Sequence, residues 1–133
     1  MIDFNNKPVL KFKAVPIEEC ESITNEVLIE NEKIVACFAS MRERLIFTNK
    51  RLITLIRIGF SGNKTDFTSI PYRSILAFSI EKHGYDNYAE LDIVIKELGK
   101  IKFELKGDAE IKNISTISKA IAEHILWFRK RPY

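Results

Sequence analysis

The chain has 133 residues, 46% hydrophobic and 29% charged, which is enough apolar material for one globular domain and too much for a disordered chain. Its 21 Lys and Arg residues against 18 Asp and Glu residues leave a net charge of +3 with no long basic run, so composition argues against a nucleic-acid binder. No stretch has the length and apolarity of a membrane-spanning helix, and Met1-Ile2-Asp3-Phe4-Asn5-Asn6 lacks the basic and apolar regions of an export leader, so a cytoplasmic location is expected.

The first predicted element is a short helix. Ile17, Cys20, Ile23, Val27 and Leu28 recur at gaps of three and four, one stripe of a helix packed by a single face. Pro16 suits its entry, and Glu18 and Glu19 complement the positive end of the helix. The acids Glu18, Glu19, Glu21, Glu26, Glu30 and Glu32 read as a solvated face. Cys20 and Cys37 lie in apolar patterns in different elements and read as small buried hydrophobes, with a disulfide as the alternative.

After Asn31 the period changes to that of extended chain. Segments at 33–40, 44–48, 51–57, 64–70, 75–82, 88–96 and 100–106 give about seven strands. Leu91, Ile93 and Ile95 share one face, as do Ile101, Phe103 and Leu105, the signature of antiparallel strands with one wet side. The strand at 51–57 is apolar on both faces, so its outer side must also be covered. Its connection to the preceding strand is the tight turn Asn49-Lys50, and Pro71-Tyr72 marks a fixed corner. Short links throughout favour a meander over parallel crossovers.

The last element is a helix over 108–130, with Asp108 as N-cap and Ile111, Ile114, Ile117, Ile121, Ile125 and Phe128 on one stripe. Arg129, Lys130 and Arg131 suit its negative end, and Pro132 stops it. No repeat or linker divides the chain, so residues 1–133 are expected to form one domain, with 1–27 a helical extension and 28–130 the remainder.

The run Ile46-Phe47-Thr48-Asn49-Lys50-Arg51-Leu52-Ile53, then Gly62-Asn63-Lys64, then Ser69-Ile70-Pro71-Tyr72-Arg73-Ser74-Ile75, resembles the bacterial PH domain family. Phe78-Ser79-Ile80-Glu81 and Ala89-Glu90-Leu91-Asp92-Ile93 continue that pattern in order, so the resemblance covers about 28–126. It implies a mainly β fold with α, a PH-like barrel of about seven antiparallel strands closed by the C-terminal amphipathic helix, plus the short N-terminal helix. Thr48 and Asn49 can bond the turn backbone, Asn tolerating a left-handed conformation, and Tyr72 can lay its ring on the barrel while its hydroxyl finds a partner. The tip Lys82-His83-Gly84-Tyr85-Asp86-Asn87-Tyr88 departs from the family pattern by its aromatic residues.

The chemistry-bearing residues are sparse. His83 and His124 have no Cys or Ser motif beside them, no Cys and His pairs stand at zinc-ligand spacing, and Glu90 and Asp92 read as the wet side of a strand. No catalysis, metal or cofactor is expected. For anionic ligands, Arg42 and Arg44 flank Glu43 in a very short loop, a poor match to a phosphate-gripping loop, with Lys50, Arg51, Lys64 and Arg73 adding charge near other turns. The phenylalanines alternate with polar residues and so point inward, unlike the exposed rings of RNA-reading sheets.

The expected role is a non-catalytic interaction or scaffold module. The resemblance implies self-assembly into a ring-like homo-oligomer through strand edges, which are templates for another chain. Partners are then further copies of the chain, with another protein besides; a membrane lipid or phosphoinositide-like anion on the basic loop residues is the second reading. Ile53, Leu55, Tyr85 and Tyr88 are the candidate contact residues, against core packing beneath the N-terminal helix for the first two and a plain loop for the tip.

Overall fold

This computed structural model describes residues 1, 2, 5, 9–59, 63–83, 88–107 and 111–130, the backbone alone at 9, 111–113 and 126–130. In chain order the elements are β1 (Val9–Ala14), α1 (Glu18–Thr24), β2 (Ile34–Ala39), β3 (Glu43–Thr48), β4 (Arg51–Ile58), β5 (Lys64–Pro71), a one-turn 3-10 helix at Tyr72–Ser74, β6 (Ile75–His83), β7 (Tyr88–Ile95), β8 (Gly99–Lys106) and α2 (Ile111–Lys130).

Strands β2 to β8 lie within a residue or two of where alternation and turn residues predict them. Antiparallel ladders join β2 to β3, β3 to β4, β4 to β5, β6 to β7 and β7 to β8. The predicted corner at Pro71 forms, and Tyr72–Ser74 turns the chain from β5 into β6.

The expected helical extension over 1–27 is corrected by β1. Leu10 and Phe12 face the core while Lys11 and Lys13 stay exposed, the period of a half-buried strand. β1 pairs antiparallel with β2, Lys13 opposite Ala39, and parallel with β8, Leu10 opposite Phe103. It thereby joins two meanders into one curled eight-stranded sheet of order β5-β4-β3-β2-β1-β8-β7-β6. Among the described residues the strand number is thus eight, one ladder is parallel, and the half-barrel leaves β5 and β6 as its two edges.

The concave face holds the main core. Phe38, Leu45, Phe47, Leu52, Leu91, Ile93, Ile101 and Phe103 are all buried in it, each from the inward parity of its strand. α2 closes this face with Ile114, Ile117 and Ile121, and Ile125 packs at the margin, as the isoleucine stripe predicts. The predicted N-cap Asp108 and the basic residue Arg131 lie outside the described residues, as do the side chains of Ile111, Phe128, Arg129 and Lys130.

The convex face carries a second, smaller core. Cys37, Ile46 and Ile53 point outward from β2, β3 and β4 and are buried beneath Cys20 of α1, with Val27, Leu28 and Phe67 around them. This answers the need for a cover over the doubly apolar β4. Cys20 and Cys37 are joined as a disulfide across the contact, Cα atoms 6.8 Å apart, which corrects the expectation of two separate buried thiols. The helix lays Cys20 directly on the outward face of β2, so two residues from different elements meet.

Candidate functional site

The segment that first marks the chain, Thr48 to Arg51, is a structural hub. The Thr48 hydroxyl accepts the backbone N–H groups of Lys50 at 3.0 Å and Arg51 at 2.9 Å. Its own proton goes to Glu32 Oε2 at 2.7 Å. Arg51 grips the same carboxylate with Nε at 2.9 Å and Nη2 at 3.0 Å, and it donates further to the Val27 carbonyl at 2.6 Å and to Ser69 Oγ at 2.9 Å. Asn49 spans outward instead of closing its own turn: its Oδ1 accepts from the Lys33 N–H at 2.8 Å and its Nδ2 donates to the Asn31 carbonyl at 3.0 Å. The left-handed residue here is Asn31, at φ 65°, and not Asn49.

Glu32 is the member that the charge pattern places wrongly. The run of acids predicts a solvated side chain, yet Glu32 is buried, because the loop after α1 returns it under Arg51. Burial pushes its pKa up, but the hydrogen bonds from Arg51, Thr48 and the Ile29 N–H outweigh that and hold the carboxyl below the ordinary glutamate range. The buried Tyr72 hydroxyl donates to the Thr48 carbonyl at 2.7 Å, and its ring packs against that of His124, centroids 5.2 Å apart. Burial, with the nearby Glu32 charge, raises the Tyr72 pKa. That ring contact ties α2 to the hub, and His124 places Nδ1 2.8 Å from the Ala120 carbonyl of its own helix.

The candidate basic residues do not converge. Arg51 is engaged in the hub, and Arg44 donates to the carbonyls of Ser40 and Glu43, both at 2.9 Å. Arg42 is exposed and donates to the Gly59 carbonyl at 2.9 Å. Lys50, Lys64 and Arg73 are exposed. The ladder pairs Arg51 with Pro71 at one end and Ile58 with Lys64 at the other. At strand spacing this puts Lys64 roughly 20 Å from Lys50 and Arg73.

Of the contact candidates, Ile53 and Leu55 are withdrawn from the surface, 0% and 1% exposed. For Ile53 the cover is the α1 cluster, the core-packing alternative. Tyr85 lies outside the described residues. Tyr88 begins β7 half-buried on the convex face, its hydroxyl bonded to Glu90 at 3.0 Å and to Glu104, its ring edge-on to His83. Partial burial, followed by these two carboxylates, raises its pKa. On the same face Lys102 donates to Glu90 Oε2 at 2.8 Å and lies 3.8 Å from Asp92.

Where a metal was not expected, Glu81, His83 and Glu90 bring one ligand atom each within 4.8 Å of one another. Register explains the meeting: Glu81 stands opposite Glu90, with His83 opposite Tyr88. The Glu90 carboxylate is already held by Lys102 and Tyr88, so the group is an exposed polar network before it is a ligand set. At the N-terminal mouth, a cavity of about 160 Å³ is lined by Ile2, Leu10, Ile56 and Ile58 with Glu43 and Asp66. It is smaller than the roughly 300 Å³ of small-molecule sites.

What the sheet leaves open are its two edges. Among the described residues β5 pairs with β4 alone, and β6 with β7 alone. From Leu76 to His83, among the described residues, no backbone bond other than the β7 ladder reaches β6. Leu76 is 52% exposed on that edge. Sequence reasoning proposes edges in general terms, and Ile53 and Leu55 lie instead on the interior strand β4; which strands end the sheet depends on β1.

Comparison with known proteins agrees with this topology. A family model described as Bacterial PH domain matches residues 3–125. The chain belongs to the bacterial PH domain family. The match takes in β1 and α1, which the resemblance at 28–126 had left outside. The uncharacterized protein YjqA of Bacillus subtilis (strain 168) is 41% identical over 98 residues, covering 71% of this chain and 78% of that protein. A DUF1696 family protein with a pleckstrin-homology domain from Shewanella loihica PV-4 superposes with a TM-score of 0.67 at 29% identity, covering 87% of this chain and 98% of that one. A pleckstrin homology domain from Shewanella amazonensis SB2B gives a TM-score of 0.56 at 29% identity over 84% of this chain and 89% of that one. A PH-domain-containing protein from Exiguobacterium sibiricum 255-15, at 16% identity and a TM-score of 0.62 over 87% of this chain and 63% of that one, shares the fold. Among the described residues no helix of this PH domain is long and apolar enough to cross a membrane.

Proposed function

We propose that this bacterial PH domain is a non-catalytic interaction module of the cytoplasm that assembles with further copies of itself through strand edges. The observation that carries the reading is the pair of unpaired edges, β5 and β6, on an otherwise continuously bonded sheet. Unpaired amides and carbonyls template another strand, and an edge lacking charged inward residues does little to prevent it. Leu76, Ala77 and Phe78 give the start of β6 an apolar edge, beside the register shift between Ile75 and Ala77, with Lys82 the inward charge further along. A β5 edge meeting a β6 edge of the next copy is a head-to-tail contact, which closes into a ring when the rotation per copy allows.

The anionic-lipid alternative draws less support, because its six basic residues divide between two ends of the sheet, and Arg42, Arg44 and Arg51 donate to groups of the chain itself. The hub also offers no reacting group: Glu32, Arg51, Thr48 and Tyr72 satisfy one another.

Size exclusion with light scattering tests the proposal. The expected mass at micromolar concentration is a whole-number multiple of 15.4 kDa, falling toward the monomer in Leu76→Lys. A strictly monomeric wild-type chain would contradict self-assembly.

A further inference from the structure

We propose that the cleft between the free edge of β6 and helix α2 binds an extended acidic peptide segment of another protein, added to β6 as a further strand. This rests on the interaction-module reading but not on self-assembly, since a peptide and a neighbouring copy would compete for the one free edge of β6.

The cleft has a volume of about 480 Å³, within the range of ligand-binding clefts, and is lined by Ile80 and Lys82 of β6 and Ile114, Ser115, Ser118 and Lys119 of α2. Its location follows from the register. Phe78, Ile80 and Lys82 share the concave parity of β6, pairing with Ile93, Leu91 and Ala89. α2 covers β6 incompletely: Ile114 is buried while Ile80 remains half-exposed. The strand therefore presents its unbonded main-chain row directly beside an apolar floor.

Three features point to one kind of occupant. The unpaired edge supplies main-chain hydrogen bonds for an extended backbone, which is how edge-adding ligands gain affinity whatever their sequence. Alternate side chains of an added strand would fall over Ile80 and Ile114, a place for one aliphatic group. The charged groups that line the cleft are Lys82 and Lys119, both exposed, and no acid lines it among the described residues. A carboxylate two residues from the aliphatic group lies on the same face and meets these ammonium groups. Ser115 and Ser118 add hydroxyl donors along the helix wall.

The test uses the full chain and a fluorescein-labelled peptide of repeated Val-Thr-Glu-Thr, which puts valine and glutamate on one face, followed by anisotropy. Saturable binding is expected. Lys82→Glu and Lys119→Glu should each weaken it about tenfold, the loss of one charge-assisted contact. Methylating alternate backbone nitrogens of the peptide should abolish it, and the matching Val-Thr-Lys-Thr peptide should not bind. Both variants change exposed residues, so circular dichroism should be unchanged. Absence of binding, equal binding of the lysine peptide, or binding indifferent to the charge reversals would overturn the proposal. So would light scattering that finds the cleft filled by a second copy, seen as an oligomer that Lys82→Glu and Lys119→Glu dissociate without peptide. A monomeric chain that binds the peptide would sink self-assembly and leave this inference standing.

Discussion

Arg51 holds both carboxylate oxygens of Glu32, Nε to Oε2 at 2.9 Å and Nη2 to Oε1 at 3.0 Å, although the whole β2–β3 hairpin separates the two residues in sequence. The fork geometry ties the loop after α1 to the start of β4, and the third donor contact, to Val27, extends the tie to the end of the helix segment. A lysine cannot make these planar contacts. Removing one partner leaves the other poorly solvated and unpaired. Arg51→Ala or Glu32→Ala should therefore cost about 3 kcal/mol of stability, and Arg51→Lys most of that, measured by urea unfolding.

The same pair sets an acid limit. The Glu32 carboxyl is held below its unfolded range, so its contribution is present above the ordinary glutamate pKa of about 4.3 and is lost as pH falls through the folded value. Thermal midpoints of the wild type should drop below about pH 4.5, and the drop should be shallower in Glu32→Gln, which has no such carboxyl to protonate. An equal acid slope in both would contradict this role for Glu32.

Tyr72 is fully enclosed and spends its hydroxyl on the Thr48 carbonyl. Tyr72→Phe keeps the ring and its packing on His124 while leaving that carbonyl short of a donor, a loss of about 1–2 kcal/mol. Tyr72→Ala also empties ring volume and should cost about 4 kcal/mol. Equilibrium unfolding of the two variants separates the hydrogen bond from the packing.

The Cys20–Cys37 disulfide closes a loop with a sequence separation of 17 residues, pinning α1 over Ile46 and Ile53. A loop of this size stabilises by about 3 kcal/mol in the chain-entropy account. Reduction, or the pair Cys20→Ala with Cys37→Ala, should lower stability by about that amount while the eight-stranded sheet persists. Thiol titration of the unfolded, unreduced protein should find no free cysteine. The cytoplasm generally keeps thiols reduced, so the bond and the expected location make thiol titration of freshly lysed cells the informative version of this measurement.

Local pattern carried most of the fold. Alternation in β7 and β8, the turn at Asn49-Lys50, the Pro71 corner and the isoleucine stripe of α2 each leave a signal within a few residues, because each buries one face of a single element. β1 left one too, in Leu10 and Phe12 against Lys11 and Lys13, but its meaning depends on β8, a partner some ninety residues away and parallel. Which strands end the sheet, and hence the β6 edge and its cleft, follows only from that pairing. The buried status of Glu32 was equally unreadable, since one acid in a run of acids differs from its neighbours only through a fold that brings Arg51 to it. Ile53 is buried in the cluster beneath α1, the core-packing alternative given for it.

The most direct check on the account is amide hydrogen exchange of the wild-type chain at low and high protein concentration. If exposed strand edges are where this PH domain meets its partners, protection should rise with concentration in β5 and β6 and stay constant in the interior strands β2 and β3. Edge amides that exchange at the same rate at every concentration would contradict it.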